Sequence, residues 1–144
     1  MFEQEKIMAF VGVSSADKAR AFYRDLLGLT LLSEDGFALA FDVGGIMLRV
    51  TPVKEVTPQP YTVLGWQVKD AVSTARSLAK AGVRLERFPS LPQDEDGIWT
   101  APGGAKIAWF KDPDGNVLSI AQMRCSSESC VSASLFCGAF SQAG

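Results

Sequence analysis

Apolar and polar positions along this chain follow two rhythms, and the two recur in the same order twice. Residues 7–13, including Met8, Phe10 and Val13, form an apolar run short enough for a strand. Residues 14–17 then supply hydroxyls and a carboxylate able to cap free amides, which marks a helix entry. Across 16–27, Ala19, Phe22, Tyr23, Leu26 and Leu27 recur at the spacing of a helix with one apolar stripe. Gly28 stands where a left-handed cap belongs. Three short strands are expected next, at 29–33, 37–42 and 47–51, with Asp35-Gly36 and Gly44-Gly45 as their turns.

Residues 52–60 hold Pro52, Pro58 and Pro60, a density hostile to helix and to central strands, so 54–61 reads as a linker. The pattern then repeats. A strand is expected at 62–68 and a helix at 70–81, with Val72, Ala75, Leu78 and Ala79 as its stripe and Gly82 as its stop. A strand at 83–88, a loop at 90–97 and a hairpin of 98–101 with 106–110 follow. The turn Asp112-Pro113-Asp114-Gly115 leads into a last strand at 117–122.

The order β-α-β-β-β, repeated with 83–88 as one further strand, describes an α+β protein of two tandem βαβββ modules. Module one spans 6–53 and module two 62–123, together one domain over 6–123. One helix covers one face of a four-strand sheet, and a module of about 50 residues is marginal alone. The modules must therefore lean on each other or on a second chain, and their uncovered faces would form a cupped mixed sheet. Residues 124–144 are rich in Ser and Cys, lack either period, and read as a tail.

Composition narrows the chemistry. The 144 residues carry 14 Lys and Arg against 16 Asp and Glu, a net charge of -2, so no nucleic-acid partner is expected. No apolar stretch approaches the roughly 20 residues of a membrane span, and the first residues lack a signal-peptide layout. A cytoplasmic, soluble chain is the expectation. The absence of histidine removes Ser-His and Cys-His nucleophilic pairs, His acid-base catalysis and every His-ligated metal site. Cys125, Cys130 and Cys137 lack the spacing and the fourth ligand of a zinc site, and their odd number argues against a disulfide framework.

Two segments resemble a known superfamily. The first is Val13-Ser14-Ser15-Ala16-Asp17-Lys18-Ala19-Arg20-Ala21-Phe22-Tyr23-Arg24-Asp25-Leu26-Leu27-Gly28-Leu29, and the second Phe110-Lys111-Asp112-Pro113-Asp114-Gly115-Asn116. Both are similar to the helix and closing turn of the vicinal oxygen chelate superfamily, which includes glyoxalase I, extradiol dioxygenases and the bleomycin and fosfomycin resistance proteins. The resemblance covers about residues 6–123 and implies that family's fold. It speaks to function only weakly, because the aromatic pair joins helix to sheet and the turn shapes the backbone.

The resemblance also implies where a metal would sit. Metal enzymes of the superfamily take one donor from the first and one from the last strand of each module. The matching positions here are Met8, Arg49, Val63 and Ser119. A slip of one place reaches Ile7 or Ala9, Leu48 or Val50, Thr62 or Leu64, and Leu118 or Ile120. None of these is a carboxylate or imidazole, and Arg49 would repel a cation. No metal and no cofactor are expected, so metal-dependent isomerase, dioxygenase and thiol-transferase activities are not expected either.

Residues in phase with those positions should line the cup. Met8, Phe10, Met47, Arg49, Val63, Gln67, Trp99, Trp109 and Ser119 are the candidate ligand contacts. Thioethers, aromatic rings and few polar groups suit a small hydrophobic or aromatic ligand. Arg49 in the cup would need an anionic ligand or an internal carboxylate such as Glu86. The Asp94-Glu95-Asp96 run is a solvated loop, or else a flap over the cup. Trp66, out of phase with Val63, should pack under the helix. Three readings remain. The first is a metal-independent small-molecule-binding protein, working as a homodimer. The second is a small lyase or isomerase using Glu86, Tyr61 and Arg49 as its acid-base and charge groups. The third is a structural module whose cup is filled by its own Leu135, Phe136 or Phe140.

Overall fold

The first helix begins as expected and then changes its winding. In a computed structural model that describes residues 1–124, Ser15 accepts a hydrogen bond from the Lys18 amide and caps α1 (Ala16–Ala19). The helix runs without a break into a π-helical stretch, Arg20–Leu26. There the Leu27 amide reaches back five residues to the Phe22 carbonyl at 2.9 Å. The wider turn shifts the apolar stripe: Phe22 and Tyr23 are buried, but Leu26, expected inside, is exposed. Gly28 then takes the left-handed φ of 74° that ends the helix.

Module one has strands β1 (Met8–Val13), β2 (Thr30–Glu34), β3 (Leu39–Val43) and β4 (Ile46–Pro52), in the sheet order β1-β4-β3-β2. β1 and β4 are parallel and the other pairs antiparallel. Gly44 and Gly45 both have positive φ, as the two-residue turn between β3 and β4 demands.

Module two repeats the order with β5 (Leu64–Gln67), α2 (Ala71–Lys80), β6 (Trp99–Thr100), β7 (Lys106–Lys111) and β8 (Val117–Gln122), arranged β5-β8-β7-β6. Asp70 caps α2 by accepting from the Ser73 amide at 3.0 Å. The expected strand at 83–88 does not form. This segment keeps one bridge, Leu85 to Phe110, and the Glu86 amide bonds the Trp109 carbonyl at 2.8 Å. The same edge of β7 is taken further along by β6, which is shorter than expected. The Gln93 side chain substitutes for a ladder, accepting from Phe88 N and donating to the carbonyls of Glu86 and Gly97.

The fold is therefore α+β, with two tandem βαβββ modules. Their buried side chains belong to one cluster that includes Val11, Tyr23, Phe41 and Val50 of the first module and Ala75, Ile98, Phe110 and Leu118 of the second. Trp66 packs against that cluster, its ring 6.2 Å from Phe110. The closing turn ties the modules together. Asp112 accepts from the buried Tyr23 hydroxyl at 2.8 Å and from Asn116 Nδ2 at 2.8 Å, while Asn116 also donates to the Gly12 carbonyl at 2.9 Å. Burial, and the Asp112 charge after it, holds the Tyr23 phenol well above its usual pKa. No helix among the described residues is long and apolar enough to cross a membrane.

Candidate functional site

Strand alternation sorts each sheet into a core face and an open face. On β4, Leu48 and Val50 are buried, so Met47 and Arg49 turn the other way. On β1, Val11 and Val13 are buried, and Met8 and Phe10 share that open face, Phe10 being 62% exposed. Register sets them in rows: Met8 beside Met47 and then Asp42, Phe10 beside Arg49 and then Ala40. These four sequence candidates thus form one patch. The Met8 and Met47 end of it opens into a groove of about 590 Å³ walled also by Ile7 and Leu32.

The open face of the second sheet is differently furnished. Gly65, Ser119 and Trp109 form one row across β5, β8 and β7. Gln67, Ala121, Ile107 and Trp99 form the next. The Trp109 indole donates to Thr62 Oγ1 at 3.1 Å. Its ring stands 5.3 Å from Phe88, edge to face, and 6.2 Å from Trp99. Ser119 is buried, whereas Gln67 is exposed at the end of β5. Val63 lies just ahead of β5, its amide bonded to the Val117 carbonyl at 2.9 Å. A groove of about 580 Å³ runs along this face, between Trp109, Phe88 and Lys111 on one side and Pro58, Pro60 and Tyr61 on the other.

The linker prolines and Phe88 were not among the sequence candidates. A proline-dense linker is a stiff wall, and that signal was present in the chain. The place of Phe88 depends on the irregular return of 83–88, which has no local signature. No hydrogen bond or ring contact joins the two candidate patches to each other among the described residues.

The charged candidates resolve into separate pairs. Glu86 faces Lys111 Nζ at 3.7 Å rather than Arg49. Asp96 holds Arg76 in a two-bond pair at 3.0 Å, which keeps its carboxyl below the ordinary range. Asp94 Oδ1 accepts from the amides of Asp96 and Ile98, so the acidic run is a hydrogen-bonded loop. Tyr61 is exposed in the second groove, with Glu86 outside its walls. Leu135, Phe136 and Phe140 lie outside the described residues, as do the three cysteines.

The residues do not fit a divalent ion. Met8, Arg49, Val63 and Ser119 present a thioether, a guanidinium, an isopropyl and a hydroxyl. Among the described residues no group of three or more His, Cys, Asp or Glu side chains is placed to hold a metal.

The profile of the glyoxalase/bleomycin resistance protein/dioxygenase superfamily matches residues 7–120. The chain belongs to that superfamily. Solved structures in the same fold include a glyoxalase family protein from Enterococcus faecalis. It is 21% identical, with 85% of this chain and 100% of that one covered and a TM-score of 0.66. A lactoylglutathione lyase from Agrobacterium tumefaciens is 19% identical over 82% of this chain and 93% of that one, with a TM-score of 0.60. A glyoxalase/bleomycin resistance protein/dioxygenase from Alicyclobacillus acidocaldarius is 17% identical over 85% and 93%, also at 0.60. At these identities the likeness is one of fold. No curated protein matches the chain.

Proposed function

We propose that this superfamily member is a metal-independent small-molecule-binding protein, holding a hydrophobic or aromatic ligand against the open faces of its sheets. The observation that carries the reading is the furnishing of those faces. Aromatic and thioether side chains line them where a metal enzyme would need carboxylates or imidazoles. A concave apolar surface with few, fixed polar groups is how small-molecule sites are built. The groove beside Trp109, with its indole NH fixed on Thr62, is ready to take a flat ring by stacking. Glu86 and Tyr61 do not form an acid-base pair, which favours binding over turnover. A homodimer belongs to the same proposal, with a second copy closing the open side; sedimentation velocity reads it directly.

The test is native mass spectrometry of protein purified without added ligand, with elemental analysis of the same sample. The reading expects a bound organic molecule, or quenching of tryptophan fluorescence by added aromatic compounds. One equivalent of divalent metal per chain would overturn it.

A further inference from the structure

The open face of the first sheet holds a cation with no ion-pair or hydrogen-bond partner among the described side chains. Arg20 pairs with Glu34 and Asp17, Arg24 with Asp25, and Arg76 with Asp96, while Arg87 donates to the carbonyls of Asp94 and Glu95. The Arg49 guanidinium has no hydrogen bond or ion pair among the described residues, although it is half-buried beside Phe10. Asp35 feels its charge without an ion pair between them, and its Oδ1 accepts from the amides of Phe37 and Ala38.

A guanidinium whose stem is covered and whose head keeps its hydrogen-bond donors open can take an anionic partner. The guanidinium fork matches a carboxylate, sulfonate or phosphate in two parallel bonds. The side chains next to it on this face, Phe10 and Ala40, are apolar. Met47 lies two residues along β4 on the same face, about 7 Å away, and with Met8 it opens the groove of about 590 Å³. Glu5 and Lys6 at that groove are opposite in sign, and Asp42, whose Oδ1 accepts from the Gly45 amide, leaves it one negative charge, so the acid group belongs at Arg49 and the apolar body toward the groove. A bare inorganic ion would leave this apolar floor in water, whereas an anion with an apolar body covers it.

We infer that the open face of the first sheet binds an amphipathic organic anion, its acid group on Arg49 and its apolar body across Phe10, Met8 and Met47. This rests on the small-molecule reading above and narrows it to one ligand class.

Two dyes that differ by a single group test it. 8-Anilinonaphthalene-1-sulfonate carries the anion, and N-phenyl-1-naphthylamine is the same body without it. Both are titrated by fluorescence into the full chain and into Arg49→Gln and Arg49→Lys, with far-UV circular dichroism as the control for folding. The wild-type chain should bind the sulfonate about tenfold more tightly than the neutral dye, and Arg49→Gln should erase that difference. Arg49→Lys keeps the charge but loses the fork, and should weaken the sulfonate about threefold. It reads the same contact if Arg49→Gln does not fold. Equal affinities for the two dyes in the wild-type chain, or a preference that both variants leave untouched, would overturn the anion assignment while the binding role stands. If neither dye binds, both readings fall.

Discussion

The two modules share one strand order and differ in what covers their open faces. In the first, β1 and β4 present Met8, Phe10 and Met47 to solvent beside a half-buried Arg49, with little of the described residues over them. In the second, the linker returns across the face, so Pro58, Pro60 and Tyr61 wall a groove against Trp109. The second face is also drawn in more tightly. A Cβ on Gly65 would stand 2.7 Å from Ser119 Oγ, whereas one on Gly12 of the first module would meet only Val53 Cγ2 at 3.5 Å. Repeating a topology therefore does not repeat a site. The backbone assigns a position to a face, and the side chains and the neighbouring loop decide what that face can hold.

The change expected to disturb this comparison most acts on the tie between the modules. Asp112→Ala strips Tyr23, Asn116 and the amides of Asp114 and Asn116 of their buried acceptor. It should cost about 3 kcal/mol in a urea melt, and Tyr23→Phe about 1 kcal/mol. If Asp112→Ala melts like the wild type, the closing turn is not what joins the modules.

Close packing can be tested in both modules with one substitution each. Gly65→Ala should cost about 1 kcal/mol because the Ser119 hydroxyl must rotate away, and Ser119→Ala in the same chain should recover part of it. Gly12→Ala should stay within about 0.5 kcal/mol. Equal costs at the two sites would remove the difference between the faces.

A smaller effect is expected at the anchored indole. Thr62→Val frees Trp109 Nε1 and should lower stability by about 0.5 kcal/mol while shifting tryptophan emission. No such shift would mean that the second groove is less fixed than its geometry implies.

The smallest effect is on the acid side, and it too separates the modules. Arg20 depresses the Glu34 carboxyl below its ordinary 4.5, and Arg24 depresses Asp25 below 3.8. The amides of Phe37 and Ala38 do the same for Asp35. In the second module Arg76 depresses Asp96. A carboxyl with a lowered folded-state pKa stabilises above its unfolded value, and that contribution is lost as the pH falls through the folded one. Stability should therefore be flat near neutrality and decline below about pH 4. Hydrogen exchange should rise first around Arg20 and Glu34, where more of these groups lie. The pairs are exposed, so the decline is shallow and salt flattens it further.

Much of this was legible along the chain. The βαβββ repeat, the helix entry at 14–17, the glycine turns and the strand at 117–122 follow from periods and turn chemistry that act over a few residues. The facing of Met8, Phe10, Met47 and Arg49 follows from alternation alone. The failures came where the deciding contact was distant. Leu26 carries the right spacing for burial, but the π winding turns it outward. The 83–88 segment has strand composition, but Gln93 and the crowded edge of β7 take its place in the ladder. Glu86 was available to Arg49 by sequence and meets Lys111 in space.

The amino-acid order by itself determined which positions are apolar, how the chain turns, and that Met8, Arg49, Val63 and Ser119 offer no donor set for a cation. Those properties belong to single residues and their near neighbours, so they can be read in one dimension. Tertiary structure alone decided that the prolines of the linker wall a groove, that Tyr23 reaches across to Asp112, and that Arg49 has no ion-pair or hydrogen-bond partner among the described residues. Each depends on groups far apart in the chain, and a charge or a hydrogen bond responds to distance in space.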